Sequence, residues 1–291
     1  MSKERIDSIC NELKDYVTAH GCGRVTIGLS GGKDSTVAAA LCAKAFGPDH
    51  VLGVWMPAGP FVGEHGGEVD EAVRRVCEEI GIVNFMVVGI GGATGMIHHQ
   101  VERQLPISKQ ARINIQPRMR MLTLYDISQS WGKSMVVNTS NMDELLAGYG
   151  TVWGDLCGDI GVLKYLHVSE VVAIGDELGL PYDLVHKTPD DGLSGIPDEV
   201  NLGFKYMDVE NLFRWYAKEH RTWNRRTVFE DLVTLMSNAG GANALRGRAG
   251  YEMPDYPVYQ KILDRLEINV FKLKEIDLTG CGGGYMDFPE N

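Results

Sequence analysis

Residues Val25-Thr26-Ile27-Gly28-Leu29-Ser30-Gly31-Gly32-Lys33-Asp34-Ser35-Thr36 pass from a β-branched run into Ser-Gly-Gly and restart as an alanine-rich segment reaching Phe46. The pattern reads as strand, anion-binding loop and helix. Adjacent glycines permit positive φ and let the backbone come close to a ligand, so successive N–H groups converge on an anion at the start of the following helix. Ser30 and Ser35 add hydroxyl donors to the same cradle. A Walker A loop would need glycine immediately before the lysine, another glycine five residues earlier, and Ser or Thr directly after the lysine. Gly32 and Lys33 fit, but Ile27 stands at the first glycine position and Asp34 follows the lysine. The loop is therefore of another kind.

The rest of the chain supplies a setting for this loop. With 291 residues, 44% of them hydrophobic, the chain can bury a full core, and no shift in composition or repeat marks a boundary within it. One domain is expected over 1–291. The net charge of −11 argues against a general affinity for nucleic acid, so attraction for an anionic nucleotide has to be local. Six cysteines occur without a CxxC pair or metal-type spacing with histidine. That usage fits a reduced, cytoplasmic protein, with Cys10, Cys42 and Cys77 as small core residues. The N-terminus lacks the charge and apolar run of an export signal, and no stretch is long enough to span a bilayer.

Taken in order, Ile6, Ile9, Cys10, Leu13, Tyr16 and Val17 form the apolar side of a first helix ending at His20-Gly21. Strands follow at Val51–Met56 and Phe85–Val88, separated by a helix from about Glu68 to Ile80. Gly89 to Gly95 lacks the last glycine and the acidic residue of a dinucleotide fingerprint and reads as a glycine-rich loop, while His98 and His99 read as surface residues. A helix over Asn114–Trp131 places Pro117 near its first turn. A fourth strand, Ser134–Asn138, ends in the polar run Thr139 to Glu144. Gly148 to Asp159 reads as a binding loop, Ser169 as the cap of a helix reaching Leu178, and His186 to Gly195 as a loop over the site. This alternation predicts a doubly wound, Rossmann-like parallel sheet with helices on both faces and its ligand loops at the carboxyl ends of the strands.

The Ser30–Ser35 loop resembles the SGGxDS pyrophosphate loop of the N-type ATP pyrophosphatases, which split ATP between its α and β phosphates. SGGKDST, QPRMRMLTLYD, NTSNMDE, GYGTVWGD with Asp159, ELGLP, HKTPDDGLSG and PDEVNLGFKY stand in the order and at the spacings of one branch, the ammonia-dependent NAD synthetases. The resemblance runs from about Ile6 to Arg221 and leaves a C-terminal extension from about 222. It implies an ATP site of Ser30, Gly31, Gly32, Lys33, Asp34, Ser35, Thr36, Thr139 and Lys187. It also implies Mg²⁺ on Asp34 and Glu144, substrate contacts from Arg118, Asp159, His220 and Arg221, and a homodimer with Gly148 to Asp159 towards the partner. No glutaminase segment precedes the loop, which implies free ammonia, or ammonia from another protein, as nitrogen donor. Three positions depart from the pattern: Val152 and Val168, where family members often carry lysine, and Asp190, where they carry Ser or Thr. These remove two cations and add an anion beside a polyphosphate unless Lys164, Lys187 or Arg221 compensates.

The implied reaction needs no protein nucleophile, and the sequence offers no Ser-His-Asp or Cys-His set. A nicotinate carboxylate is adenylated by ATP, and ammonia then displaces AMP; Asp34 and Lys187 are the expected catalytic residues, through charge and alignment. Two alternatives stand beside this reading. One is a related enzyme adenylating another carboxylate or a tRNA base, disfavoured by the acidic charge and the missing CxxC. The other is a nucleotide sensor without turnover, disfavoured by retained Asp34 and Glu144.

Overall fold

The structure is a computed structural model that describes residues 1–59, 70–187, 198–222, 224–238, 241, 243–245 and 256–275. Helix α1 (Lys3–Ala19) precedes β1 (Arg24–Gly28) and α2 (Lys33–Phe46). Then come β2 (Val51–Trp55), α3 (Glu71–Ile80), β3 (Asn84–Val87), α4 (Gly91–Glu102) and α5 (Lys109–Trp131). β4 (Ser134–Asn138), α6 (Met142–Ala147), β5 (Ile160–Gly161), α7 (Val168–Glu177) and α8 (Tyr182–Val185) follow. The described chain ends with α9 (Asp198–Leu202), α10 (Tyr206–Glu219), α11 (Arg225–Ser237) and α12 (Tyr256–Glu275).

The five strands pair in the order β3-β2-β1-β4-β5, all parallel, with Val25 opposite Val51 and Met135. Val25, Ile27, Val51, Val54 and Val136 are buried, as β-branched residues in a sheet covered on both faces should be. On one face α2 packs with α1, α3, α7 and α8; on the other α5 lies across β1 and β4 and against α4. This is the doubly wound sheet that the sequence predicts. The strand order reverses between β1 and β4, so a crevice opens beyond their carboxyl ends.

A second hydrophobic core lies beside the sheet. Met142, Leu145 and Leu146 of α6 pack with Phe213 and Tyr216 of α10, Val228 and Leu232 of α11, and Ile262 and Leu263 of α12. A buried ionic clasp joins the two cores: Glu170 of α7 receives the guanidinium of Arg5 from α1 at 2.9 Å and that of Arg225 from α11 through both of its terminal nitrogens. Beside it His167 Nδ1 lies 2.6 Å from Asp143 Oδ1, and Asp143 Oδ2 accepts from Val168 N at 2.8 Å. Burial works against the Glu170 charge, but Arg225 and Arg5 outweigh it and hold this carboxyl below its ordinary range.

Several boundaries differ from those read in the sequence. Helix α5 begins at Lys109 because Ser108 Oγ accepts from Ala111 N at 3.1 Å, and Pro117 consequently stands inside the helix rather than in its first turn. Gly91 to Gly95 is not loop but the first turns of α4, with Thr94 Oγ1 donating to Ile90 O. Helix α7 starts at Val168, one residue before the expected Ser169 cap, because the Glu170 carboxylate accepts from His167 N. Cys10 and Cys42 are buried while Cys77 is only partly so, and the described cysteines are all free thiols. Asp190, most of the His186 to Gly195 loop and the glycine-rich tail around Cys281 lie outside the described residues. Among the described residues no helix is long and apolar enough to cross a membrane.

Candidate active site

The loop after β1 folds as a cradle because its own side chains hold it. Ser30 N donates to Ser35 Oγ at 3.3 Å, Gly32 N to Ser30 Oγ at 3.2 Å, and Ser35 Oγ to Gly32 O at 3.0 Å. Gly31 has φ of +73°, and a Cβ there would lie 2.9 Å from Ala72 Cβ. Only glycine meets both demands. Gly32 caps α2, whose N-terminal end therefore points into the crevice. Thr36 is fully buried, its hydroxyl donated to Gly32 O at 2.8 Å. It builds the loop from behind.

Two carboxylates meet at this end. Asp34 Oδ2 accepts from Lys33 Nζ at 2.6 Å, and its Oδ1 accepts from Asn141 Nδ2 at 3.1 Å. Asn141, fully buried, also caps α6: its Oδ1 accepts from Glu144 N at 3.0 Å while Glu144 Oε2 accepts from Asn141 N at 3.1 Å. One residue thus orients both acids across 107 positions of sequence. Asn141 was missed in the sequence reading, although Asn-x-x-Glu is the signature of a capping box. Burial, followed by the Asp34 charge, pushes the Glu144 carboxyl well above its ordinary range, with Lys33 pulling the other way. For Lys33 burial opposes the charge, but Asp34, Glu144 and Asp198 outweigh it and raise its pKa. Crowded carboxylates of this kind, offering hard oxygen donors, fit a Mg²⁺ ion that keeps most of its waters.

The crevice is a cleft of about 1280 Å³. Ser30, Gly32, Lys33, Asp34, Ser35, Thr139, Glu144 and Lys187 line it. Lys187 is exposed. Apolar lining comes from Met56, Met121 and Leu124. Gly148 to Asp155 forms another wall, held by Thr151 N on Asp155 Oδ2 at 3.1 Å and Asn138 Nδ2 on Asp155 O at 2.6 Å. A Cβ on Gly154 would lie 2.9 Å from Pro117 Cβ, so this loop rests on α5 at its proline.

Other expected substrate residues sit elsewhere. Arg118 is exposed and donates from Nε to Val152 O at 3.2 Å, while its neighbour Arg120 faces the cleft with Nε on Met56 O at 3.3 Å. Asp159 accepts from Tyr125 Oη at 3.0 Å and from Val136 N at 2.8 Å, bracing the middle of β4. His220 and Arg221 close the C-terminal end of α10, His220 stacked on Tyr216 at 3.9 Å, away from the cleft lining. Within one chain the structure gathers the loop, Thr139, Glu144 and Lys187, and does not bring Arg118, Asp159, His220 or Arg221 to them. Sequence reading also missed Asp198, Arg265 and Lys272, which line the same cleft.

Comparison with known proteins adds an independent finding. A family model described as NAD synthase matches residues 5–234. The chain is similar to the NH(3)-dependent NAD(+) synthetase of Thermococcus kodakarensis, 37% identical over 208 residues that cover 71% of this chain and 78% of that one. It is 35% identical to that of Trichlorobacter lovleyi over 201 residues, 69% of this chain and 70% of the other. Among solved structures, NMN synthetase from Francisella tularensis matches with a TM-score of 0.65 at 27% identity, over 74% of this chain and 87% of that chain. The NH3-dependent NAD synthetase from Campylobacter jejuni matches at 0.66 over 100% of both chains, with 21% identity, and so shares the fold.

Proposed function

Because the chain belongs to the NAD synthase family, we propose that it converts nicotinic acid adenine dinucleotide to NAD with ATP and ammonia. In this reading the nicotinate carboxylate attacks the α-phosphorus of ATP and pyrophosphate departs. Ammonia then attacks the acyl carbon of the mixed anhydride, and AMP leaves with the electron pair of the C–O bond. The observation that carries the reading is the self-braced cradle of Ser30 to Ser35 at the strand-order reversal, with Asp34 and Glu144 tied together by Asn141.

The residues divide the work. Within the Ser30 to Ser35 loop, the backbone N–H groups of Gly31 and of Lys33 to Ser35 at the start of α2, with the Ser30 hydroxyl, receive the leaving pyrophosphate, and the Ser35 hydroxyl holds the loop in shape for them. Asp34 and Glu144 would hold Mg²⁺, which neutralises charge on the departing phosphates when bound. Lys33 balances those two acids, and Lys187, on the segment entering His186 to Gly195, supplies a cation for the reacting phosphorus. Thr139 contacts ATP from the end of β4. Arg118, Asp159, His220 and Arg221 meet the dinucleotide in a homodimer, where half-exposed Trp153 of the Gly148 to Asp159 loop is available to a partner. The chain works as one unit over 1–291, in the cytoplasm, and its net charge of −11 fits small-molecule substrates better than nucleic acid.

The test is incubation of purified protein with Mg-ATP, ammonium and nicotinic acid adenine dinucleotide, following NAD and pyrophosphate together. Equal amounts of the two are expected. Pyrophosphate without NAD would replace the acceptor with another, and neither product despite ATP binding would overturn the reading. The same assay with nicotinic acid mononucleotide gauges the choice of acid, since one structural relative is an NMN synthetase.

A further inference from the structure

Helix α12 lies beyond the segment matched by the family, yet it closes one wall of the cleft. Its Arg265 donates from Nε to Ala147 O at 2.7 Å, at the end of α6. About two turns further along the helix, Lys272 donates from Nζ to Gly148 O at 2.9 Å and Gly150 O at 3.1 Å. The fit is close: a Cβ on Gly148 would lie 2.3 Å from Asn269 Cβ. Both side chains are partly buried, and both line the cleft together with Arg120 and Tyr149, over which the Arg265 guanidinium sits at 5.8 Å.

These cations are held without a carboxylate. Among the described residues none of Arg120, Arg265 and Lys272 lies within ion-pair distance of an acid, and their hydrogen bonds go to carbonyl oxygens. Asp155 is the carboxylate that acts on Lys272 and Arg120 from further off. Burial disfavours the charge on each of the three. A partly desolvated cation that lacks a counter-ion is costly to the folded chain and is repaid when a ligand brings the negative charge. Two of the three Lys272 donors are fixed by carbonyls, which leaves the third available to an acceptor in the cleft. Asp34, Glu144 and Asp198 gather around Lys33 of the pyrophosphate loop, whereas Arg265 and Lys272 bond to carbonyls at the end of α6 and in the loop after it, so the cleft carries an acidic group at the pyrophosphate loop and a basic one at α12.

We propose that Lys272 and Arg265 of α12 form an anion-binding wall for the phosphates of the acid substrate, as distinct from those of ATP. The inference rests on the function proposed above and extends it to a segment outside the family match. It also bears on Val152, where the resemblance implies a lysine: α12 delivers charge to the Gly148 to Asp159 loop that carries Val152. The pyrophosphate loop supplies the ATP phosphates with donors of its own.

The experiment compares wild type with Lys272→Gln, Lys272→Arg and Arg265→Gln in steady state, with titration calorimetry of nicotinic acid adenine dinucleotide in the absence of ATP. Lys272→Gln is expected to raise KM for the acid roughly 10-fold, as loss of one charge-assisted hydrogen bond should, while KM for ATP moves less than about twofold; Lys272→Arg should recover most of the affinity. Equal rises in both KM values, or an unchanged KM for the acid, would overturn the proposal, because a merely structural brace does not distinguish the two substrates. Should Lys272→Gln fail to fold, the wild-type dissociation constant for the acid must weaken steeply with KCl; a flat salt dependence overturns it equally. Wild type that binds the dinucleotide but makes no NAD would count against the proposed reaction and leave this wall standing.

Discussion

The sheet core and the helical core each furnish part of one cleft, a sheet end and a helical end, and they build them differently. At the sheet end, Ser30, Gly32, Ser35 and Thr36 hold one another through bonds that span no more than five residues. At the helical end, the bonds from Arg265 and Lys272 reach back 118 to 124 residues to the end of α6 and the loop beyond it. A cradle closed over a few residues orders little chain, whereas a wall closed over more than a hundred depends on the packing of everything between. Helix α6 is where the two meet, its side chains in the helical core and its cap on Asp34. The sheet end is thus a local device, and the helical end is a product of docking.

That contrast can be broken at its strongest point first. Asp34→Asn should lower kcat about 10³-fold, near 4 kcal/mol on the barrier, while far-ultraviolet circular dichroism is retained; a loss under tenfold would remove Asp34 from the charge-bearing role. Arg225→Met leaves Glu170 buried with half its clasp and should cost about 3–5 kcal/mol in urea unfolding. One shifted transition would mark the two cores as a single cooperative unit, and two separate transitions would mark them as independent.

The same clasp sets a pH dependence. The Glu170 carboxyl is held below its ordinary range in the folded chain, so its contribution is complete above the unfolded value of about 4.5 and fades as pH falls through the lower folded value. The urea midpoint of wild type should therefore drop below that pH more steeply than the midpoint of Glu170→Gln, which starts lower at neutral pH.

Smaller effects sharpen the local end. Gly31→Ala forces a side chain into positive φ against Ala72 and should cost about 1–3 kcal/mol, with weaker ATP binding by calorimetry. Asn141→Ala removes the cap of α6, about 1 kcal/mol by thermal melting, and should lower kcat beyond that because Asp34 and Glu144 lose their common partner. The exposed pair of Arg75 and Asp183, 2.6 Å apart on the surface, is the control: Asp183→Asn should change neither melting nor turnover measurably.

The parts that were readable in advance share a physical cause. The four longer strands and α2 follow from period and punctuation in consecutive residues, and the Ser30 to Ser35 cradle is visible because its bonds are local. The two-residue β5 carries too little pattern to be seen. Pro117 misled because proline favours a first turn, while Ser108 had already started the helix and the missing N–H was tolerated inside it. The resemblance pointed to Arg118, whereas the turn of the helix puts Arg120, two residues on, at the cleft. Asn141 was readable in principle as a cap, but its second bond, to Asp34, was not.

What the sequence determined by itself is the doubly wound sheet and the anion loop at its mouth, because each is set by neighbours within a few residues. What only the tertiary structure decided is which distant groups complete the cleft. Asn141 reaches Asp34, Asp198 joins the acidic end, and α12 turns Arg265 and Lys272 onto the loop after α6. No local propensity encodes those meetings, since they exist only once two hydrophobic cores have docked and their buried charges have found partners.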